Sequence, residues 1–506
     1  MNQATLLKKL YCQSSFCSPT ALGIIVESFI NDSRLEECLI AEFLTGFVFP
    51  TAFAAEGDVL KSLRGFLTLI LVLKDRNELE VYLPLLLKSF RQIQRVSIRP
   101  DHQLLAAYQA TVLFLLYSAR SQIEDLDCVK ALGFDDRNIK DYIELEVFFP
   151  SEEIPHPLFR AELGTLWCLY GNLTGRSSFV EAAGRIAEWQ KKTLDHNYVS
   201  LVGLLSPEGE ASERTLLIGN YLLFNAVARS LRSSEMAFLA GKQLGRFSEL
   251  AGEESLKVPC HAVILEACFD EMASPDVSGE YYLPSIFSDE RLALAGSRSF
   301  ESSAVSTLYG GRSGMGCYHY KDVKVINFGP QRLPLGDCSE FGLEGGANFL
   351  SEHLKTLTLG AGQYVLEGAA RLPSHTRDTQ SLGHLSHGGW MVCRQELNKG
   401  ILSIDIKFQR LFEQNDLSFS FFVKCSQCII GGDKVVMPRS LTRYSGAGAA
   451  IQLHGEKSIL NLHAGQGHED VQIIPLGGGD NFWGADFLIA YRLKDPDAAY
   501  SWKCFP

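Results

Sequence analysis

The chain has 506 residues, 46% of them hydrophobic and 21% charged, and a formal net charge of −12. That length predicts about three domains and enough interior to fold without disulfides or metals. The acidic balance lacks the broad positive field that nonspecific nucleic-acid binding draws on, so no nucleic-acid partner is expected.

No long apolar run follows Lys8 and Lys9, which argues against a secretory signal. The most apolar stretch, Phe66 to Leu73, is far shorter than the roughly 20 residues that span a bilayer, so no membrane insertion is expected. The 13 cysteines are an odd number, and several sit in apolar runs such as LWCLY around Cys168. They read as buried free thiols in a reducing, cytoplasmic setting.

From the N-terminus to residue 150, apolar residues recur at three- and four-residue spacings. The pattern predicts helices over 58–73, 78–95 and 102–119, the last capped by Asp101. Three prolines between Phe148 and Pro157 mark a linker or sharp loop. Helices then resume over 158–170, with Gly171 as the residue that ends the first, and over 179–194, 213–231, 234–251 and 259–271. Short loops between consecutive helices imply antiparallel hairpins. Residues 1–150 are read as a helical subdomain and 151–275 as helical hairpins, either separate or continuous as one α/α toroid.

After residue 275 the helical spacing stops and glycine becomes frequent. Leu402, Ile404, Ile406 and Phe408 alternate with polar residues, as do Leu417, Phe419, Phe421 and Val423. A period of two predicts strands with one buried face, and the pair is expected to form a hairpin. Further strands are predicted over 323–328, 458–462, 471–474 and 487–491. Residues 276–506 therefore read as an antiparallel β-sandwich. The expected fold class is multidomain: a helical-hairpin, α/α toroid-like N-terminal half, then the sandwich.

Chemistry-bearing motifs are sparse. Cys425 and Cys428 make a C-x-x-C with no second pair, an incomplete zinc pattern, and residues three apart on a strand face opposite ways. His375, His384 and His387 cluster with Arg377 and Trp390 in a polar, glycine-containing stretch. Histidine moves protons or binds metals near neutral pH, although a solvated loop explains the same composition. The glycines of GGRSGMGCYHY, with Arg312, His319 and Tyr320, allow close approach to a ligand or simply a turn between strands. Trp167 and Tyr170 share a helix face, a core pattern, whereas Arg160 and Glu162 do not face each other. Asn220 and Tyr221 interrupt an apolar helix and need partners. No nucleotide, hydrolase, zincin or EF-hand motif is present, so no cofactor and no metal is expected.

The order of a helical half followed by a sandwich resembles the α/α-toroid polysaccharide lyases of the heparinase II/III and alginate lyase groups. It is also similar to α/α-barrel glycosidases with a sandwich partner. The resemblance implies a glycan ligand and a site between the two halves. It also implies a Tyr or His that removes the proton α to a uronate carboxylate, and an Arg or Asn that neutralises the charge. Tyr221, His375, His384 and His387 are the catalytic candidates; His156, Arg160, Arg377 and Trp390 are the substrate-binding ones. The residues alone leave open whether the chain is an enzyme. The competing reading is a non-catalytic scaffold with a protein partner.

Overall fold

The structure is a computed structural model that describes residues 56–94, 103–119, 157–201, 213–251, 260–277, 279–290, 293–308, 314–332, 350–360, 362–373, 387–411, 417–440, 443–447, 450–465, 470–476, 484–493, 495 and 498–506. The chain forms two compact units. One comprises Met1–Pro150, Leu158–Gln190 and Leu217–Tyr281; the other comprises Ser151–Pro157, Lys191–Leu216 and Tyr282–Pro506.

The described helices are α1 (Glu56–Asp75), α2 (Leu79–Gln94), α3 (Gln103–Ala119), α4 (Pro157–Thr174), α5 (Ser177–Lys192), α6 (Glu213–Leu231), α7 (Ser234–Ala251) and α8 (Cys260–Ala267). Among these residues no helix is long and apolar enough to cross a membrane. Helix α1 packs against α2, α3 and α8. Its Leu63, Phe66, Leu69, Ile70 and Leu73 recur at helical spacing and are fully buried. Asn77, in the left-handed conformation, turns the chain from α1 into α2, with Glu78 N–H donating to the Leu73 carbonyl.

Helix α4 runs past the expected stop at Gly171. Its end is made instead by Gly175, at φ 68°, with Arg176 N–H donating to the Gly171 carbonyl at 2.9 Å. Gly171 is glycine for a different reason: a Cβ there would stand 2.7 Å from Val180 Cγ2 and 2.9 Å from the Arg176 carbonyl. It is the close-approach point of α4 and α5.

Among the described residues the sandwich consists of two nine-stranded sheets. The first holds β1 (Ile286–Asp289), β2 (Leu294–Arg298), β3 (Ser302–Thr307), β4 (Gly316–Tyr320), β5 (Val323–Arg332), β10 (Leu417–Lys424), β13 (Tyr444–Gly446), β16 (Val471–Pro475) and β17 (Phe487–Arg492), in the order β1-β2-β3-β4-β5-β10-β17-β16-β13. The second holds β6 (Leu350–Gly360), β7 (Gln363–Pro373), β8 (His387–Asn398), β9 (Ile401–Leu411), β11 (Gln427–Ile430), β12 (Lys434–Val436), β14 (Ala450–His454), β15 (Ile459–Ala464) and β18 (Ala499–Phe505), in the order β12-β11-β14-β15-β18-β9-β8-β7-β6.

The two alternating runs expected to form a hairpin are β9 and β10, and they do not pair. Strand β9 lies between β8 and β18 in one sheet, and β10 between β5 and β17 in the other. Both send their apolar residues into the same core, Ile404 and Ile406 from one side and Phe419 and Phe421 from the other. Alternation reports which face is buried and carries no information on the neighbouring strand.

Aromatic rings join the two sheets. Trp502 of β18 stacks on Phe419 of β10 with ring centroids 4.0 Å apart and an interplanar angle of 18°. Phe421, Tyr491 and Tyr500 close around the same indole. Large-to-small truncation of such a ring removes its transfer energy and leaves a cavity. The Trp502→Ala variant is expected to lose about 3–5 kcal/mol in urea unfolding followed by near-ultraviolet circular dichroism. A loss under about 1 kcal/mol would show that this ring is not the keystone of the sandwich.

Candidate functional site

Among the described residues of the sandwich unit, a row of buried and part-buried polar residues crosses four strands of the first sheet. Arg298 of β2 is the register partner of Ser303 of β3, Ser303 of His319 of β4, and His319 of Lys324 of β5. Their sequence neighbours Ala304, Tyr318 and Val323 point into the sandwich core. Strand alternation therefore places the row on the opposite face of the sheet.

The segment Lys191–Leu216, part of the same unit, supplies partners for every member of the row. Residues 193–201 fold into a tight hairpin: Asp195 N–H donates to the Val199 carbonyl and Leu201 N–H to the Thr193 carbonyl, with Tyr198 at φ 62°. One oxygen of Asp195 holds this turn from inside, accepting the N–H groups of Asn197 at 2.8 Å and Val199 at 2.9 Å. The other oxygen lies 3.0 Å from His319 Nδ1. Next to it, Ser303 Oγ accepts the His196 N–H at 2.8 Å and lies 3.1 Å from His196 Nδ1. The Asn197 amide meets His196 Nε2 at 2.9 Å. Lys324 Nζ donates to Glu213 at 3.1 Å. Arg298 donates to the carbonyls of Leu194, Lys192 and Pro284 and stacks over the Phe287 ring at 4.4 Å.

The electrostatics follow from this geometry. Burial alone would raise the Asp195 carboxyl, but the hydrogen bond and charge of His319, with Lys324 and His196 beyond, hold it well below the usual carboxylate range. Burial lowers the His319 imidazole below its ordinary 6.5 despite the pull of Asp195. At neutral pH His319 is therefore uncharged, and the only tautomer that serves Asp195 carries the proton on Nδ1. That leaves a lone pair on Nε2, which is buried and has no hydrogen-bond partner among the described residues. Burial likewise lowers His196 and pulls Arg298 down to about 10. An ionised carboxylate behind a neutral imidazole with an unpaired nitrogen has the hydrogen-bond order of a general base, with Nε2 itself buried.

In the helical unit the buried Glu162 carboxylate is enclosed by hydrogen-bond donors. Glu162 of α4 accepts from Arg64 of α1, through both oxygens, and from the Tyr108 hydroxyl of α3. Trp167 and Tyr170 are core, the latter packed edge-on to Phe179 with centroids 4.8 Å apart.

Among the sequence candidates, Tyr221 is fully buried in α6 and its hydroxyl donates to the Glu266 carboxylate, while burial and that carboxylate raise its pKa and keep it protonated. Arg160 is buried in α4 with its guanidinium over the Trp189 ring at 5.1 Å. His387 opens β8, and Trp390 follows in the same strand, half-buried. His156, His375, Arg377 and His384 lie outside the described residues. The C-x-x-C is not confined to one strand. Cys425 follows β10 and Cys428 lies in β11, so the chain changes sheets between them and both sulfurs enter one core. No group of three or more potential metal ligands occurs among the described residues. Asp195, His196, Ser303 and Arg298 carried no recognisable motif. The one available signal was Asp195 followed by Asn197 just past a predicted helix, the composition of a side-chain-bonded turn.

No family model and no curated protein is matched by the sequence. Solved structures are. The chain is similar to heparinase III with a TM-score of 0.58 and 9% identity, covering 96% of this chain and 76% of that one. It is similar to a Paenibacillus xanthan lyase with a TM-score of 0.52 and 10% identity, covering 99% of this chain and about half, 53%, of the lyase. The chain thus has the fold of helical hairpins followed by an antiparallel β-sandwich that these two lyases share.

Proposed function

We propose that this chain is a carbohydrate-active protein that cleaves a uronate-containing glycan by β-elimination, with His319 as the proton acceptor. The observation that carries the reading is the open Nε2 of a neutral His319 backed by Asp195. The fold likeness to heparinase III and to a xanthan lyase supports the substrate class. Elimination needs a base for the proton α to the carboxylate, a group that stabilises the developing enolate, and a proton for the leaving oxygen. A neutral imidazole is competent for the first task, and Asp195 stabilises the imidazolium that results. Tyr221, His375, His384 and His387 are proposed as further proton-transfer groups, and His156, Arg160, Arg377 and Trp390 as glycan contacts.

The direct test is turnover of a panel of uronate-containing and neutral polysaccharides, read by the ultraviolet absorbance of the unsaturated uronate product. The wild type is expected to generate that product from a uronate glycan. The His319→Gln variant is expected to lose about 10²–10⁴-fold in kcat with KM little changed. Full activity in that variant, or no product from any glycan with the wild type, overturns the reading.

The protonation state has its own signature in stability. His319 has a folded pKa below the 6.5 of an ordinary histidine, so between those two values the unfolded chain binds the extra proton. Stability is then expected to fall as pH drops below about 6.5, with a slope from this residue of at most about 1.4 kcal/mol per pH unit. His196 adds a smaller share of the same sign, being more exposed and better screened. Asp195, depressed in the folded state, adds its own loss only as pH falls below about 3.8. Urea midpoints between about pH 7.5 and pH 5 should show the slope, and His319→Gln should flatten it. A midpoint that does not change over that range contradicts a neutral His319.

A further inference from the structure

We infer that Cys425 and Cys428 are a redox-modifiable dithiol that closes to an intrachain disulfide by exchange with a small disulfide of the glutathione class. Their sulfur atoms are 3.9 Å apart, in contact but unbonded. A covalent bond at about 2.05 Å requires closure by about 2 Å, within reach of side-chain rotation. The backbone between them is already held in a turn. Cys425 N–H donates to Asp486 at 3.1 Å, and Ser426 N–H donates to the His454 carbonyl at 2.7 Å. The turn carries the chain from β10 in one sheet to β11 in the other, and this crossover brings together two residues that would diverge on a single strand.

As whole residues, Cys425 is 5% exposed and Cys428 is fully buried, so Cys425 is placed first in the order of the chemistry. Cys425 attacks one sulfur of the small disulfide. Its S–H bond breaks, a mixed disulfide forms, and the first small thiol leaves with the proton. Cys428 then attacks the Cys425 sulfur, the mixed bond breaks, and the second small thiol leaves with the Cys428 proton. The protein dithiol is oxidised by two electrons and the small disulfide is reduced by two. Burial and the neighbouring Cys425 raise the Cys428 thiol well above its ordinary range, which makes the second step the slow one. The buried thiols Cys317, Cys393 and Cys504 serve as internal controls.

The test exposes the folded full chain to oxidised glutathione, blocks remaining thiols with an alkylating agent, and reads intact mass and peptide mass. The peptide spanning Cys425 and Cys428 is expected to lose the mass of two hydrogens and to escape alkylation, and reduced glutathione should reverse the change. In Cys428→Ser the second step is blocked, so a stable glutathione adduct on Cys425 is expected. The inference is overturned if the folded wild type shows no change at this peptide, if oxidation spreads equally over the control cysteines, or if only the denatured chain reacts.

Discussion

A carboxylate removed from water must receive its hydrogen bonds from the protein, and the way Asp195 receives them organises one face of the sandwich unit. Its two oxygens point at different parts of the chain: one gathers the N–H groups of a local hairpin, the other holds His319 on β4. A single side chain thereby joins a turn to a strand 124 residues later. Losing any of these partners would leave an under-solvated charge in a dry environment, a cost of several kcal/mol for a buried ionised group. The segment Lys191–Leu216 of the sandwich unit supplies Asp195, His196 and Glu213 to the Arg298–Ser303–His319–Lys324 row.

The strand row depends in turn on what lies beneath it. Ala304, Tyr318 and Val323 sit one residue from Ser303, His319 and Lys324 and fill the core between the sheets. The same alternation that satisfies the apolar interior delivers a polar residue from each strand to the other face, in register. Packing density thus reaches the polar site as positional precision, since a core that cannot slide fixes the strands that carry the imidazole. Tyr364, also in that core, lies within 2.7 Å of Ser306 Oγ and ties β7 of one sheet to β3 of the other.

What was legible in the sequence follows the range of the interaction involved. Strand faces were legible in part because alternation is local: Leu402, Ile404, Ile406 and Phe408 are buried as expected, and so are Phe419, Phe421 and Val423, but Ser418, Ser420 and Phe422 are buried as well, so this second strand is covered on both faces. Their partners were not, because the choice between a hairpin and a crossover is made by distant strands, β18 and β17, that compete for the same edges. Gly171 shows the same limit at shorter range. Its glycine signal was real, but the cause was the approach of α5 rather than the end of α4. At the site, His319 was visible only as one of three candidate contacts, with Arg312 and Tyr320, in GGRSGMGCYHY, a stretch better read as a turn between strands, and Asp195 was not singled out at all. Nothing in the spacing of two residues so far apart reports that they meet. The relation of Arg160 and Glu162 was legible because helix geometry alone keeps residues two apart on different faces, and they do have different partners, Trp189 for one and Arg64 with Tyr108 for the other.

The buried polar groups of the chain divide by how completely their bonding is closed. Glu162 is closed by a guanidinium and a phenol, and Asp195 by two backbone N–H groups and an imidazole. Such sets rigidify the fold and have no chemistry left to offer a ligand. His319 differs in that one nitrogen is committed to Asp195 and the other, equally buried, is open among the described residues. An unmet buried acceptor costs about 1–3 kcal/mol, and one already aligned by an ionised neighbour gains nothing for stability by remaining open. Other buried polar atoms among the described residues, such as Ser420 Oγ and Gln395 Oε1, also have no hydrogen-bond partner, and His319 Nε2 stands apart from them in that an ionised carboxylate fixes its tautomer and leaves it basic, which is the condition the proposed proton transfer needs.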